Sequence, residues 1–429
     1  MNKQKLSLRL YQLCILLLTP VLILVFLVRS INHKEYRQRI SERFGWISSG
    51  LKSGGIVVHA ASVGEVIAAK PFVEKLIAEY PNTAITVTTF TPTGSAQVIK
   101  SFQNRVQHCY LPLDISFCVH LFFKFLKPQA LILMETELWP TLIQRCHKSN
   151  VKLLLINGRL SAKSLKSYQK LTWLITPALN KFDAILCQSS DNADHFITLG
   201  AEPKLVSSSG NLKYDISVTD DMQEKITELQ QYISSDRKVI VVGSTHEGEE
   251  LQMLSAYKEL KAEYPELLMV LVPRHPERFN AVAQLCESQG LNVIKRSDQS
   301  ELTNATDVWL IDTLGELFAC YALSDICVVA GSFSGVGGHN PLEAALFAKP
   351  IVVGTNMANF KDVNAKLKAA NGIVQLDDNA TLGRELMAIF ANETKQQELG
   401  QQALSVVIAN QGATNTSVKL LQQLLSKND

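Results

Sequence analysis

The sequence predicts an α/β protein: two doubly wound parallel-sheet domains in tandem, behind one apolar N-terminal helix. Three observations lead there. Short apolar runs alternate with amphipathic stretches from residue 56 to residue 353, the βαβ rhythm of parallel sheets. The series is interrupted once, between residues 207 and 234, by a polar glycine-containing turn and a polar helical stretch that reads as a linker. Residues 10–28 carry no charge, a run long enough to cross a bilayer. The expected division is an anchor over 1–30, a first domain over 31–215 and a second over 216–429. At 429 residues, 46% hydrophobic and 19% charged, each domain can bury its own core.

The anchor is flanked by Lys3, Lys5 and Arg9 before it and by Arg29, Lys34, Arg37, Arg39 and Arg43 after it. That balance favours a cytoplasmic body, and the stretch from Arg29 through His33 to Lys34 offers no small-residue cleavage site of a secretory signal. Tyr36, Ile40, Phe44 and Trp46 among these cations suit a surface of anionic headgroups. Expected strands of the first domain are Ile56–His59, Ala84–Thr88, Gln107–Leu111, Ala130–Met134, Val151–Ile156 and Ala184–Cys187. Those of the second are Lys238–Val242, Leu268–Val272, Asn292–Ile294, Val308–Ile311, Ile326–Val329 and Ile351–Val353. A net charge of +2 gives no basic composition for nucleic acid. The eight cysteines are scattered without CxxC spacing and read as small buried hydrophobes in a reducing compartment, not as metal ligands.

Chemistry is expected at the loops following the strands, because ligands of open α/β sheets bind at the carboxyl edge. After Ile56–His59 the small residues Ala60, Ala61 and Ser62 lead to Glu65 in a first helical turn. There the helix dipole keeps an acid ionised, and the residue suits either a base or a simple helix-stabilising charge. Glu135, Glu137 and Trp139 follow the buried run Ala130–Met134, while Arg159 and Lys213 stand where each suits an anion or a solvated surface equally. In the second half, Ser244 through Glu250 opens a helix, and Arg274 lies between Pro273 and Pro276, which hold a guanidinium stiffly at a strand end. Leu314, Gly315 and Glu316 make a turn that permits close backbone approach. A glycine-rich stretch from Gly331 to Gly338 then leads to Asn340 as N-cap and Pro341 as first helical residue, followed by Leu342 and Glu343. Glu343 suits either a capping box with Asn340 or the paired hydroxyls of a ribose.

Five stretches together carry a resemblance: His59–Glu65, Glu135–Pro140, Ser244–Glu250, Pro273–Arg278 and Gly337–Glu343. In their order and residues they closely resemble the Kdo transferases of Gram-negative lipid A assembly, along nearly the whole chain. The resemblance implies a GT-B architecture of two Rossmann-like domains facing a cleft, anchored to the cytoplasmic face of the inner membrane. It implies transfer of 3-deoxy-D-manno-octulosonic acid (Kdo) from CMP-Kdo to a lipid A precursor, lipid IVA, in lipopolysaccharide core biosynthesis. The anomeric centre would be inverted, with no metal or other cofactor. The family's general base falls on Glu65, with Glu135 and Lys213 supporting the transition state. Its CMP-binding positions fall on Pro273, Arg274, Leu314, Gly315, Glu316, Asn340, Pro341, Leu342 and Glu343. An inverting displacement needs such a base; a free glutamate, with a pKa of about 4.3, is a weak one unless burial or Glu135 raises that value. Two other readings remain: a sugar-nucleotide epimerase of the same architecture, and a membrane-tethered solute-binding module.

Overall fold

A computed structural model of the chain describes residues 3–32, 34–47, 50–234 and 236–426. His33, within the basic flank of the anchor, lies outside the described residues.

Val, Ile and Leu fill the central strands of each sheet on both faces, the pattern that parallel sheets covered by helices require. In the first sheet these are Ile56–His59 (β1), Ile85–Thr89 (β2), Gln107–Tyr110 (β3), Ala130–Met134 (β4), Lys152–Gly158 (β5), Ala184–Cys187 (β6) and Val206–Ser208 (β7). They pair in parallel in the order β3-β2-β1-β4-β5-β6-β7. The order reverses between β1 and β4. The loops after those two strands therefore splay apart and leave a crevice at the carboxyl edge.

The second sheet comprises Val239–Thr245 (β8), Leu268–Pro273 (β9), Val293–Lys295 (β10), Val308–Leu310 (β11), Ile326–Val329 (β12), Ile351–Val353 (β13) and Val374–Gln375 (β14). Its parallel order is β10-β11-β9-β8-β12-β13-β14, reversing between β8 and β12. The two edge strands β7 and β14 carry no apolar run and were not expected. Asp220–Gln230 is a helix of the second unit and not a linker, because Ile226 and Leu229 are buried and Lys225 and Glu228 pair with Glu316 and Arg296.

By its contacts the chain divides into Met1–Asp215 with Gln411–Asp429, and Ile216–Asn410. The expected second domain ran on to residue 429, but the last helix, Ala413–Ser426, belongs to the first unit. Two causes hold it there. The Asp215 carboxylate accepts the Gly412 and Thr414 N–H groups at the helix start, and Ala413, Val418 and Leu421 are buried with Val66, Phe72 and Leu76.

The N-terminal helix Lys3–Asn32 is long and apolar enough over Leu6–Ile31 to cross a membrane. One side of it docks on the first unit: the Tyr11 hydroxyl donates to Asp114 Oδ2 at 2.9 Å, Gln12 reaches Thr141 Oγ1 at 3.5 Å, and the Phe26 and Phe90 rings lie 6.2 Å apart. The Arg43 guanidinium is buried, 4.7 Å from the Phe26 ring centroid and 4.2 Å from that of Tyr110. The other side leaves Leu10, Leu13, Leu17, Leu24 and Val28 exposed. Seven of the eight cysteines are buried thiols and Cys14 on this helix is exposed.

Candidate active site

The first crevice is built by β1 and β4. The backbone after His59 turns through Ala60 and Ala61, and Ser62 caps the helix Val63–Glu79. Glu65 closes a reciprocal capping box: its own N–H reaches Ser62 Oγ at 3.4 Å, while its carboxylate accepts the Ser62 hydroxyl and the Ala61 N–H, each at 2.9 Å. The helix-stabilising role and the position expected of the base thus coincide in one residue. Burial pushes the Glu65 carboxyl up to about 7, with the Glu137 and Glu135 charges adding to the rise against those two hydrogen bonds. The helix terminus does not decide the matter: desolvation and like charge outweigh it, and burial and Glu135, the two influences expected to be able to raise the value, both act in that direction, with Glu137 added.

Glu137 is pinned at the same edge. Its Oε2 accepts the Trp139 indole N–H at 2.8 Å and lies 3.3 Å from Nε2 of the fully buried His59. His59 Nδ1 meets the Thr88 hydroxyl at 3.0 Å. A carboxylate only accepts, so Nε2 of His59 carries a hydrogen toward Glu137. Burial works against the Glu137 charge, yet the His59 and Trp139 contacts prevail and hold its carboxyl below the ordinary range. Glu137 thus remains an anion that disfavours the ionised form of Glu65.

Glu135 sits at the end of β4 with φ 51°, a left-handed turn that lets its carbonyl receive the Arg159 N–H. Burial raises its carboxyl, opposed by the Lys213 and Arg159 charges. Lys213 is delivered by a polar ladder: Asn157 Oδ1 accepts the Leu212 N–H, Gln188 donates to the Asn157 carbonyl, Asn211 donates to Gln188, and the Lys213 N–H reaches Asn211 Oδ1. Leu212 and Tyr214 are buried on either side, which holds the short turn that carries the lysine. The structure therefore brings Glu65, Glu135, Glu137, Arg159 and Lys213 to one edge of the first sheet.

The second crevice has a different make-up. After β8 the chain passes His246 and turns at Gly248 (φ 89°) into the helix Glu249–Glu263. Glu249 is 1% exposed and accepts four hydrogen bonds, from the His246 and Gly331 N–H groups on one oxygen and from the Phe333 N–H and Ser334 hydroxyl on the other. It fastens the glycine loop after β12. His246 and His339 stack with their Nε2 atoms 2.8 Å apart, sharing one hydrogen, and His275 packs edge-on against His246 at 5.2 Å. A Cβ on Gly331 would lie 2.6 Å from the His339 ring, so only glycine fits there. Burial pushes His339 down to about 4, with His246, Arg274 and His275 adding to the drop.

The predicted binding residues fall around this edge with varied commitments. Pro273 ends β9, the Arg274 N–H donates to the Thr245 carbonyl, and the Arg274 side chain is exposed. Gly315 turns at φ 90° with Leu314 exposed, whereas the buried Glu316 carboxylate is taken by the Thr313 hydroxyl, Arg296 and Lys225. The expected cap at Asn340 is displaced by one residue: the single turn Leu342–Ala345 has Pro341 at its start, and Asn340 Oδ1 accepts the Leu342 N–H at 3.2 Å. Asn340 Nδ2 also reaches Glu343 at 3.4 Å, so no reciprocal capping box forms. Burial raises the Glu343 carboxyl, opposed by the Asn340 hydrogen bond and the Arg274 charge. Glu249, His59 and the His246–His339 pair went unassigned from sequence. The signal for Glu249 was an acid directly after a turn glycine, which any exposed helix start also shows.

A family model described as 3-deoxy-D-manno-octulosonic-acid transferase (kdotransferase) matches residues 38–216. A 3-deoxy-D-manno-octulosonic acid transferase of Haemophilus influenzae is 38% identical over 98% of this chain and 99% of its own length. The chain belongs to the Kdo transferase family. A Bordetella pertussis member is 31% identical over 86% of this chain and 87% of its own. Among solved structures, the UDP-GlcNAc 2-epimerase of Neisseria meningitidis superposes with a TM-score of 0.58 over 86% of this chain and 100% of its own, at 16% identity. That likeness concerns the GT-B fold alone. This Kdo transferase is accordingly a GT-B glycosyltransferase with two parallel-sheet units and an apolar N-terminal helix suited to anchoring.

Proposed function

We propose that this Kdo transferase moves Kdo from CMP-Kdo to a lipid A precursor, lipid IVA, by one inverting displacement that uses no metal. The first unit takes the acceptor, the second takes the donor, and the Lys3–Asn32 helix anchors both at the cytoplasmic face of the inner membrane. The observation that carries the reading is Glu65, half-buried, pushed up to about 7 and set among Glu135 and Glu137. A base whose pKa lies near the operating pH is both available and strong enough to take a sugar hydroxyl proton. In the step, Glu65 removes that proton as the acceptor oxygen bonds to the anomeric carbon of Kdo. The bond from that carbon to the CMP phosphate breaks, and CMP leaves with the electron pair from the opposite face. Lys213 lies within electrostatic reach of Glu135, where a fixed cation offsets the growing negative charge. Pro273, Arg274, the Leu314–Glu316 turn and Asn340 to Glu343 hold the nucleotide, with the Glu343 carboxylate toward the ribose hydroxyls and the Arg274 fork toward an anionic group.

The test is transfer by the purified full chain and by Glu65→Gln from CMP-Kdo to the tetra-acylated precursor, with products weighed by mass spectrometry. The reading expects product from the wild type and about a thousandfold slower formation by a folded variant that still binds CMP. A variant near wild type removes Glu65 as the base, and a wild type that makes no product from this pair overturns the donor and acceptor.

A further inference from the structure

We propose that Phe90 is a positioning residue of the first crevice: its ring seats the Trp139 indole so that the indole N–H keeps the Glu137 carboxylate within electrostatic reach of Glu65. This rests on the reading of Glu65 as the base and adds to it a residue that touches neither carboxylate.

Phe90 follows β2 and is tied through its N–H, its carbonyl and its ring. The N–H donates to the Ala61 carbonyl at 3.1 Å, and the Ala61 N–H in turn donates to Glu65 Oε2 at 2.9 Å. The Phe90 carbonyl accepts from Nη1 of Arg43 at 2.9 Å, and that guanidinium also lies 5.3 Å from the Phe90 ring centroid. The Phe90 ring lies 6.2 Å from that of Phe26 and stacks on that of Trp139 at 5.7 Å, the latter two planes 30° apart. Arg43 is a costly clamp. It is 1% exposed, burial lowers its pKa, and its Nε has no hydrogen-bond partner. Among the described residues its one side-chain hydrogen bond goes to Phe90, so the buried charge is committed to holding that residue.

The backbone of Trp139 is set elsewhere. The helix Pro140–Lys148 starts there without a side-chain cap of its own, and Asp114 accepts its Thr141 and Leu142 N–H groups at 2.9 and 2.8 Å. The side-chain torsions of Trp139 are left to packing, and a rotated indole loses its hydrogen bond, which weakens steeply with angle. The stack on Phe90 fixes the plane from which Nε1 donates to Glu137 Oε2 at 2.8 Å. Burial raises the Glu137 carboxyl, and the contacts from His59 and Trp139 overcome it. The other groups in electrostatic reach are Glu135 for both Glu65 and Glu137, Tyr168 for Glu137, and Lys213 and Arg159 for Glu135. Phe90 itself carries no charge, so it acts on Glu65 through what it holds in place. A Glu137 carboxylate released from the indole relaxes away from the like charge of Glu65.

The test follows the full chain in maltoside micelles by two readouts. With 5-fluorotryptophan in place of its four tryptophans, the fluorine resonance that disappears in Trp139→Phe is that of Trp139. Phe90→Leu, which keeps both backbone hydrogen bonds, should move that resonance more than the other three. The second readout is the acid limb of kcat/KM against pH for Kdo transfer. Phe90→Leu and Trp139→Phe should each shift it to lower pH by roughly half a unit, less than the unit or more that a whole neighbouring charge contributes. In the Glu137→Gln background neither should shift it further. Phe90→Met, closer in volume, takes the place of Phe90→Leu should that variant fail to fold. The proposal is overturned if the Trp139 resonance stays in place when Phe90 is replaced. It is overturned equally if Glu137→Gln moves the limb while the Phe90 and Trp139 variants do not, or if they move it as far without the Glu137 charge as with it. A wild type with no acid limb removes Glu65 as the base, and the proposal with it, whatever the resonance does.

Discussion

The two sheets reverse their order at equivalent places, β1 against β4 and β8 against β12, yet the crevices they open are furnished in opposite ways. At the first, three carboxylates crowd together and Glu65 is pushed up to about 7. At the second, three buried acids are matched, Glu249 by four donors, Glu250 by a bidentate Arg278, and Glu316 by Arg296 and Lys225, while burial raises the Glu343 carboxyl against one Asn340 hydrogen bond and the Arg274 charge. Glu249 with its four donors fixes the shape of a loop, whereas the two hydrogen bonds on Glu65 do not offset its burial and the like charges beside it. On the proposed reading the same topology serves once for chemistry and once for holding a ligand.

That contrast can be broken most severely at Glu65. Glu65→Gln keeps the capping box, since glutamine also serves at that position, but removes the proposed base. Its kcat should fall about a thousandfold with the donor KM unchanged, within the range for losing a general base, as steady-state kinetics will show. The matching experiment at the second crevice is Glu249→Gln, which leaves donors of the glycine loop unpaired. It should cost about 2–4 kcal/mol of stability, lower the Tm by roughly 5–15 °C in calorimetry and raise the donor KM. A smaller effect is expected from Arg274→Lys, where a point charge replaces the planar fork: about a tenfold weaker CMP affinity by isothermal titration, with the fold intact.

The smallest effect sharpens the comparison through stability. Glu65 has a folded pKa above its ordinary value, so keeping it charged destabilises the folded state once the pH exceeds that ordinary value. Glu65→Gln should therefore raise the Tm by a few degrees at pH 8. The gain should vanish as the pH falls below about 4, where the acid is neutral both folded and unfolded. Lost activity together with gained stability at one residue is the signature of a functional strain.

Much of this was legible in the sequence. The central strands could be read because they are buried on both faces and so form continuous apolar runs, and Glu65, Glu135 and Lys213 could be placed because strand ends and turn residues bracket them. The edge strand Val206–Ser208 was not legible, since serines at a sheet edge look like a turn. Nor was the return of Ala413–Ser426 to the first unit, which depends on Asp215 nearly two hundred positions earlier in the chain. The sign of the Glu65 shift was also hidden. A helix start favours a lowered carboxyl and burial or Glu135 a raised one, and only the fold shows which prevails, with Glu137, anchored by His59 and Trp139, adding to the rise.

The central claim is that Glu65 works as a base set near neutrality by its neighbours, and the pH dependence of kcat/KM reads it most directly. For the wild type a tenfold fall per pH unit is expected below about 7, as the carboxylate takes up its proton. In Glu137→Gln, which removes the charge that opposes ionisation, that limb should move to lower pH. A wild-type profile that stays flat from pH 8 to pH 5, or a limb that Glu137→Gln leaves in place, would contradict it.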